Sequence, residues 1–154
     1  MEKELDEVDI FLLKSLQADA KTTAKEFAAQ LNMSVSPIYE RIKRLEQKGY
    51  IKKYVAILDK TKLNRSITCI CQVSMRQHSE AFIDNFEKEI RKIEEVQECF
   101  HMAGEVDFFL KINIGSLEDY HYFVRTKLSR IENISVLNTT FVLKDIKNGT
   151  EISF

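Results

Sequence analysis

A set of polar side chains between residues 34 and 48 has the types and spacing needed to bind a polyanion. Advancing about 100° per residue from Ile38 places Ile42 and Leu45 within about 40° of it, on one face of a helix. Hydroxyl, phenol, carboxylate and cationic groups spread around the other side, and such groups bond base edges and phosphates in a DNA major groove. The candidate DNA-binding residues are Ser34, Ser36, Tyr39, Glu40, Lys43, Arg44 and Lys48, followed by Lys52.

Glu40 has two readings within this set. Its carboxylate can accept a hydrogen bond from a cytosine amine in the groove. It also stands four residues before Arg44, the spacing at which opposite charges pair on a helix surface. We favour the pair.

A second set, around Gly104 and Asp107, has the chemistry to bind a small zwitterion. A hairpin at Gly104 offers backbone amides at close approach because glycine has no side chain. Asp107 offers a carboxylate to an ammonium group. Aspartate is unfavourable within strands, so its presence at this position indicates a specific role. The alternative is that Asp107 only bonds the amides of its own hairpin.

The charge distribution singles out the first half of the chain. Residues 1–65 carry 13 Lys and Arg against 10 Asp and Glu, whereas residues 66–154 carry 10 against 14. Residues 14–65 alone have a net charge of +7, although the whole chain has −1. A local basic patch indicates a polyanionic partner for that segment. A solvated, lysine-rich surface would give the same count.

Other chemistries lack a residue pattern in this sequence. The cysteines are odd in number and lack the CxxC spacing of zinc sites, so core packing is their expected role: Cys69, Cys71 and Cys99. The three histidines have no metal-site spacing. We find no nucleophile with a base, no phosphate-binding glycine loop and no dinucleotide fingerprint. We therefore expect no enzyme activity, no metal and no cofactor.

The composition is that of a soluble globular protein, with 44% hydrophobic and 31% charged residues. No stretch approaches the roughly 20 apolar residues of a membrane helix. The N-terminal residues are acidic and lack the apolar region of a secretory signal. We expect a cytoplasmic protein with no membrane association.

Two capped helices are predicted to precede the polar set. Asp6 can cap a helix that runs to about Leu16. Thr23 and Glu26 have the spacing of a capping box, which starts a second helix. Asn32 is suited to end that helix in the left-handed conformation.

The polar set lies on the third predicted helix. Ser34 or Ser36 can cap it, and Pro37 is tolerated in its first turn, where the amides have no intrahelical partner. The helix runs to Lys48 and ends at Gly49. A capped helix, a short turn and a helix with a polar face form a helix-turn-helix. A plain helical bundle with a basic surface is the alternative.

The second half alternates as βαββαβ. The patterns predict strands over residues 67–75, 96–103, 106–114 and 134–143, with helices over 82–93 and 117–131. Gly104 and Glu105 suit the centre of a type II′ hairpin turn. Two helices on one face of a four-stranded antiparallel sheet give the ferredoxin-like plan. The other face is predicted to carry Ile70, Phe109 or Leu137, which indicates burial against another copy.

We therefore predict an α+β chain of two domains. Residues 1–60 form a helix-turn-helix DNA-binding domain that ends in a strand over residues 50–58. Residues 61–154 form a ferredoxin-like domain.

The whole chain resembles bacterial or archaeal transcriptional regulators of the Lrp/AsnC (leucine-responsive, feast/famine) family. Residues 34–51 resemble the family's recognition helix and its exit into the linker strand. Residues 96–108 resemble its ligand-loop signature, in which a Gly and an Asp lie three apart before an aromatic residue. Three positions depart from the family pattern, where Gly, Pro and Tyr are common: Asn32, Val35 and Phe108.

The resemblance implies an amino-acid-type effector, bound in a pocket between dimers. Residues of the loop would contact it, joined by residues on the last strand: Met102, Gly104, Glu105, Val106, Asp107 and Phe108, with Asn138, Thr139 and Thr140. Without the Tyr hydroxyl, a contact through Phe108 must be apolar. The family also implies that residues 1–60 are a winged helix-turn-helix domain with a linker strand and that residues 61–154 form the domain for amino-acid sensing and oligomerisation. It implies a homodimer that assembles to an octamer.

The expected function is sequence-specific binding of double-stranded DNA in transcription regulation, modulated by a small amino-acid-like effector. One alternative is a ligand-sensing or protein-interaction module whose basic helical face binds an acidic protein partner. A ferredoxin-like enzyme fused to a helical domain is disfavoured by the missing catalytic pattern.

Overall fold

The computed structural model describes residues 5–154, which form two compact units. One unit comprises the residues up to Ile57 together with Lys147–Phe154, and the other comprises Leu58–Ile146. The predicted division at residues 60 and 61 stays a prediction, and the last residues of the chain belong to the helical unit. The helices of the described chain include none that is long and apolar enough to cross a membrane.

The helical unit contains α1 (Glu7–Ala18), α2 (Ala24–Leu31) and α3 (Val35–Gln47). The sheet unit contains β1 (Ile67–Met75), α4 (Glu80–Ile90), β2 (Val96–His101), β3 (Phe108–Ile114), α5 (Leu117–Thr126), a short 3-10 helix (Leu128–Arg130) and β4 (Ile134–Phe141).

The starts of α1 and α2 confirm the predicted caps. Asp6 accepts a hydrogen bond from the amide of Asp9 at 2.9 Å, and the Asp9 carboxylate accepts one from the Asp6 amide at 3.4 Å. Thr23 and Glu26 form the predicted capping box. Asn32 ends α2 with a φ of 51°, in the left-handed region.

The start of α3 and the segment after it differ in part from the prediction. Ser34 occupies the N-cap position, but its hydroxyl makes no capping hydrogen bond. Gly49 follows the helix with a φ of 76°, as its role at the helix end requires. The predicted strand over residues 50–58 is wrong for this chain, because a strand needs a hydrogen-bonded neighbour and no described segment pairs with it.

The sheet has the order β2-β3-β1-β4 with antiparallel neighbours, which confirms the ferredoxin-like topology. Alternate residues of β1 face the two helices, and its buried set is Cys69, Cys71, Val73 and Met75. Aromatic side chains complete this core: Phe86, Phe108 and Phe123. The buried cysteines thus have the expected packing role.

The loop between β2 and β3 is wider than a two-residue hairpin. The last strand pair is His101 with Phe108, and the Met102 amide donates to the Asp107 carbonyl at 2.8 Å. Four residues, 103–106, lie inside this closing bond. The type II′ turn predicted at Gly104 and Glu105 is therefore wrong.

The face of the sheet opposite the helices carries apolar side chains among polar ones such as Gln72, Lys111 and Asn138, and one predicted apolar member is wrong. Leu137 lies opposite Val73 and so faces the helices. The open face carries Ile70, Phe109, Phe100 and Val136, of which Phe100 is 52% and Val136 is 56% exposed.

The predicted helix over residues 117–131 is broken at Lys127. Helix α5 ends at Thr126 with Lys127 as its C-cap, at φ −114° and ψ −63°, and a 3-10 turn follows. The turn buries Leu128 and Ile131 against the core. The helix predicted to reach residue 93 also ends early, at Ile90, although Ile93 still packs on the core.

Lys127 bonds both carboxylate oxygens of Glu95, at 2.7 and 2.8 Å. Burial raises the pKa of Glu95, but the hydrogen bonds from Lys127 act in the opposite direction, and the net pKa is below its usual value. A depressed folded-state pKa stabilises the fold above the unfolded-state pKa of about 4.3, and this contribution is lost as the pH falls through the folded-state pKa.

We therefore expect Lys127→Met to lower the free energy of unfolding at pH 7 by about 0.5–1 kcal/mol, because the pair is partly solvated. The difference from the parent chain should vanish in acid, below the folded-state pKa of Glu95. Urea melts of both proteins across the pH range check this, with Lys88→Met on exposed α4 as the control. An equal difference at neutral and acid pH would contradict the assignment.

Candidate nucleic-acid interface and ligand site

Apolar contacts hold one face of α3 against α1 and α2. Ile38 and Leu45 are fully buried on α3, and they join Leu12 of α1 and Phe27 of α2 in one cluster. This confirms the predicted inward face. The opposite face of α3 is left to solvent.

An ion cluster adds a second attachment between α1 and α3. Asp9 is only 1% exposed, and its two carboxylate oxygens accept hydrogen bonds from Arg41 at 2.8 Å and Arg44 at 2.6 Å. Arg41 also donates to Asp6, and its hydrogen bonds to Asp6 and Asp9 raise the pKa of the Arg41 guanidinium. The favoured pairing of Glu40 with Arg44 is therefore wrong, because Arg44 turns towards α1.

The ion cluster of Asp9, Arg41 and Arg44 was not predicted from the sequence. Asp9 is a carboxylate among the apolar residues of α1, and that placement is the signal that a cation must meet it. The partners lie 32 and 35 residues away, beyond the reach of helix spacing rules.

The structure brings most of the predicted DNA-binding residues onto one exposed surface. Tyr39 is 61% exposed in the middle of α3. The other exposed members are Ser34, Ser36, Glu40, Lys43 and, at the helix end, Lys48. Arg44 is half-buried, and Lys52 is exposed in the segment beyond the helix. This surface offers hydroxyl donors, a phenol and cations at the spacing of a helix that reads a groove.

Asp107 ties the start of β3 to the end of β1. One carboxylate oxygen accepts a hydrogen bond from the Met75 amide at 2.6 Å, and the other lies 2.8 Å from His78 Nε2. Asp107 therefore does accept from a backbone amide, as the alternative predicted. The amide belongs to β1, however, and not to the hairpin. His78 was missed because it lies in a connecting segment with no motif.

The other loop residues divide between surface and core. Met102, Gly104 and Glu105 are exposed, and Val106 is half-buried. A Cβ at Gly104 would meet nothing within 4 Å, so the described chain leaves space above this backbone. Phe108 is 0% exposed, and its ring centroid lies 4.2 Å from that of Phe86 in the core.

The predicted residues of β4 lie on both faces of the sheet. Asn138 and Thr140 are on the open face. Thr139 faces α5, where its hydroxyl accepts a hydrogen bond from Tyr120 at 2.5 Å. Strand β1 separates β4 from β3, a spacing of about 10 Å across the sheet. The loop and the β4 residues therefore do not converge within one chain.

Within residues 5–154, no group of three or more His, Cys, Asp or Glu side chains could hold a metal ion.

Two family models match the chain. The model described as "Lrp/AsnC ligand binding domain" matches residues 68–152. The model described as "Winged helix-turn-helix DNA-binding" matches residues 5–52.

The chain is similar to characterised regulators over nearly its full length. It is 31% identical to the glutamate uptake regulatory protein of Zymomonas mobilis, over 97% of this chain and 91% of that protein. It is 29% identical to the Bkd operon transcriptional regulator of Pseudomonas aeruginosa, over 93% and 94% of the two chains.

Solved structures show the same architecture. A transcriptional regulator from Neisseria meningitidis, in complex with L-Met, superposes with a TM-score of 0.92 and 29% identity, covering 97% of both chains. An AsnC family regulator from Agrobacterium tumefaciens gives a TM-score of 0.92 and 28% identity, again covering 97% of both chains.

The ion cluster gives a testable expectation for the stability of the helical unit. Asp9→Asn should destabilise this unit by about 2 kcal/mol, below the roughly 3–5 kcal/mol for a fully buried pair, because both arginines are partly exposed. Hydrogen exchange of α1 and α3 in the full chain should accelerate by at least about tenfold. Asp19→Asn, at the exposed end of α1, is the control. Unchanged exchange in α3 would contradict the role of the cluster.

Proposed function

Because the chain belongs to the Lrp/AsnC family of DNA-binding transcriptional regulators, we propose that α3 reads double-stranded DNA and that a bound amino acid controls this binding. The family relatives are regulators, and this chain is a regulator rather than an enzyme. The observation that carries the proposal is the division of α3 into a fixed face and an exposed polar face.

Base reading falls to the side chains in the first two turns of α3, with Ser36 and Tyr39 as the central pair. Lys43, one turn further, and Lys48 and Lys52 beyond it contact phosphates. Arg44 has a different role, because Asp9 holds its guanidinium against α1. Phosphate contacts fix the register on the duplex, whereas base contacts select the sequence.

The partner of the open sheet face is a second copy of the chain. The exposed aromatic and β-branched side chains on this face, Phe100 and Val136 among them, form the apolar centre that a homodimer requires. A two-fold dimer predicts a palindromic site whose half-sites lie whole helical turns apart. Dimers assemble further to an octamer, and the regulator meets its DNA in the cytoplasm.

The effector is a small amino acid bound at residues 102–107. The relative solved with L-Met supports this ligand class. A carboxylate accepts about four hydrogen bonds, so Asp107 keeps capacity for an ammonium group beyond Met75 and His78. The free space at Gly104 lets a ligand carboxylate reach the loop amides. Asn138 and Thr140 complete the pocket from a neighbouring subunit.

The DNA contact of α3 is tested with Lys43→Ala. Loss of one phosphate contact should weaken binding and reduce the slope of log K against log salt by about one unit. Fluorescence anisotropy with a selected duplex, over a series of salt concentrations, measures both quantities. Lys88→Ala removes the same charge from α4 and should leave both unchanged. Unaltered affinity and slope in Lys43→Ala would remove α3 from the interface.

The effector site is tested with Asp107→Asn, which keeps an acceptor for the Met75 amide but removes the charge. This variant should bind amino acids at least about tenfold more weakly, as expected when a charged hydrogen bond is lost. Its DNA affinity without amino acid should equal that of the parent. Calorimetric titration with L-methionine and the other standard amino acids measures the effect, and Asp84→Asn, exposed on α4, is the matched control. Normal titration in Asp107→Asn would move the site elsewhere.

A further inference from the structure

A groove of about 620 Å³ lies in the sheet unit, between α4 and the 3-10 turn after α5. It shares no lining residue with the loop of residues 102–107. Its floor is apolar, formed by Phe82, Ile93 and Ile131, which also pack on the core. A volume of this order and an apolar floor with a few polar groups are typical of small-molecule sites.

The walls of this groove are held by specific hydrogen bonds. Lys127, at the break after α5, bonds Glu95. The side chain of Asn133 bonds both the amide and the carbonyl of Gln77, at 3.2 and 2.8 Å, and fixes the chain after the 3-10 turn to the end of β1. These bonds anchor both ends of residues 128–132, the segment that forms one wall of the groove.

Some of the charged residues that line the groove have ion-pair partners, and others do not. Lys92 pairs with Glu89 at 2.6 Å, and Lys127 pairs with Glu95. Among the described residues, Arg130 and Glu132 have no ion-pair partner, and both side chains are exposed. These two opposite charges lie on either side of Ile131, whose side chain is buried in the floor.

We propose that this groove binds a free α-amino acid with an apolar side chain, at a second site separate from the loop. Arg130 takes the carboxylate in a charge-assisted contact, supported by the amide of Asn85. Glu132 accepts from the ammonium. The apolar side chain of the ligand lies on Phe82, Ile93 and Ile131. One uncompensated cation and one uncompensated anion over an apolar floor are the complement of such a zwitterion.

The test is an NMR titration of the full chain with L-leucine and with two analogues, isoamylamine and isocaproate, which lack the carboxylate and the ammonium respectively. Signals of Ile93 and Ile131 report the groove, and those of Gly104 and Val106 report the loop. Saturable shifts in the groove are expected with leucine, and binding weaker by at least about tenfold with either analogue, since each loses a charged contact.

Arg130→Gln and Glu132→Gln should each weaken leucine binding in the groove by about tenfold, while the loop signals titrate as before. Arg125→Gln and Glu118→Gln, exposed on α5 outside the groove, should change neither site. Silent groove signals at high leucine, unaltered affinity in both variants, or isocaproate binding as well as leucine would overturn the proposal. Failure of the loop site would show only in the Gly104 and Val106 signals.

Discussion

The contact between α1 and α3 decides which face of α3 meets solvent. Burial of Ile38 and Leu45 contributes roughly 1.5–3 kcal/mol per side chain, but apolar contacts alone tolerate some rotation of a helix. The hydrogen bonds of Asp9 to Arg41 and Arg44 restrict that rotation, because a turned helix would leave a buried carboxylate unpaired. In this cluster the charges set orientation more than they add stability. The exposed positions of Tyr39 and Lys43 follow from this fixed orientation of α3.

In the sheet unit, Asp107 has a comparable orienting role. It connects β3 to β1 at the end of the sheet where the loop between β2 and β3 emerges, so that loop ends at a fixed point. The core beneath it contains Phe108 stacked on Phe86. The loop backbone and the open sheet face are separate surfaces, so the proposed effector site and the proposed dimer contact use different residues.

Features that depend on neighbouring residues were predicted well from the sequence. Features that depend on a partner far along the chain were not. The capping boxes and the left-handed Asn32 are encoded within a few residues, and strand alternation was sufficient for the ferredoxin-like order. The predicted Glu40–Arg44 pair was wrong because helix spacing considers only residues of the same helix, whereas Arg44 pairs with Asp9 on α1. Leu137 was assigned to the wrong face because alternation alone does not give register, and a one-residue shift exchanges the faces. The prediction of a strand over residues 50–58 was wrong because a strand must pair with a neighbouring strand, and the sequence pattern does not show whether such a neighbour exists.

Lysine footprinting of the full chain on a selected DNA duplex tests directly whether the polar face of α3 meets DNA. Acetylation of each lysine is measured by mass spectrometry with and without DNA, and exposed Lys88 of α4 serves as the internal reference. With α3 in the major groove, DNA should protect Lys43 strongly and leave Lys88 unchanged. Equal acetylation of Lys43 in the free and bound states would contradict the proposal that the polar face of α3 lies in the DNA groove.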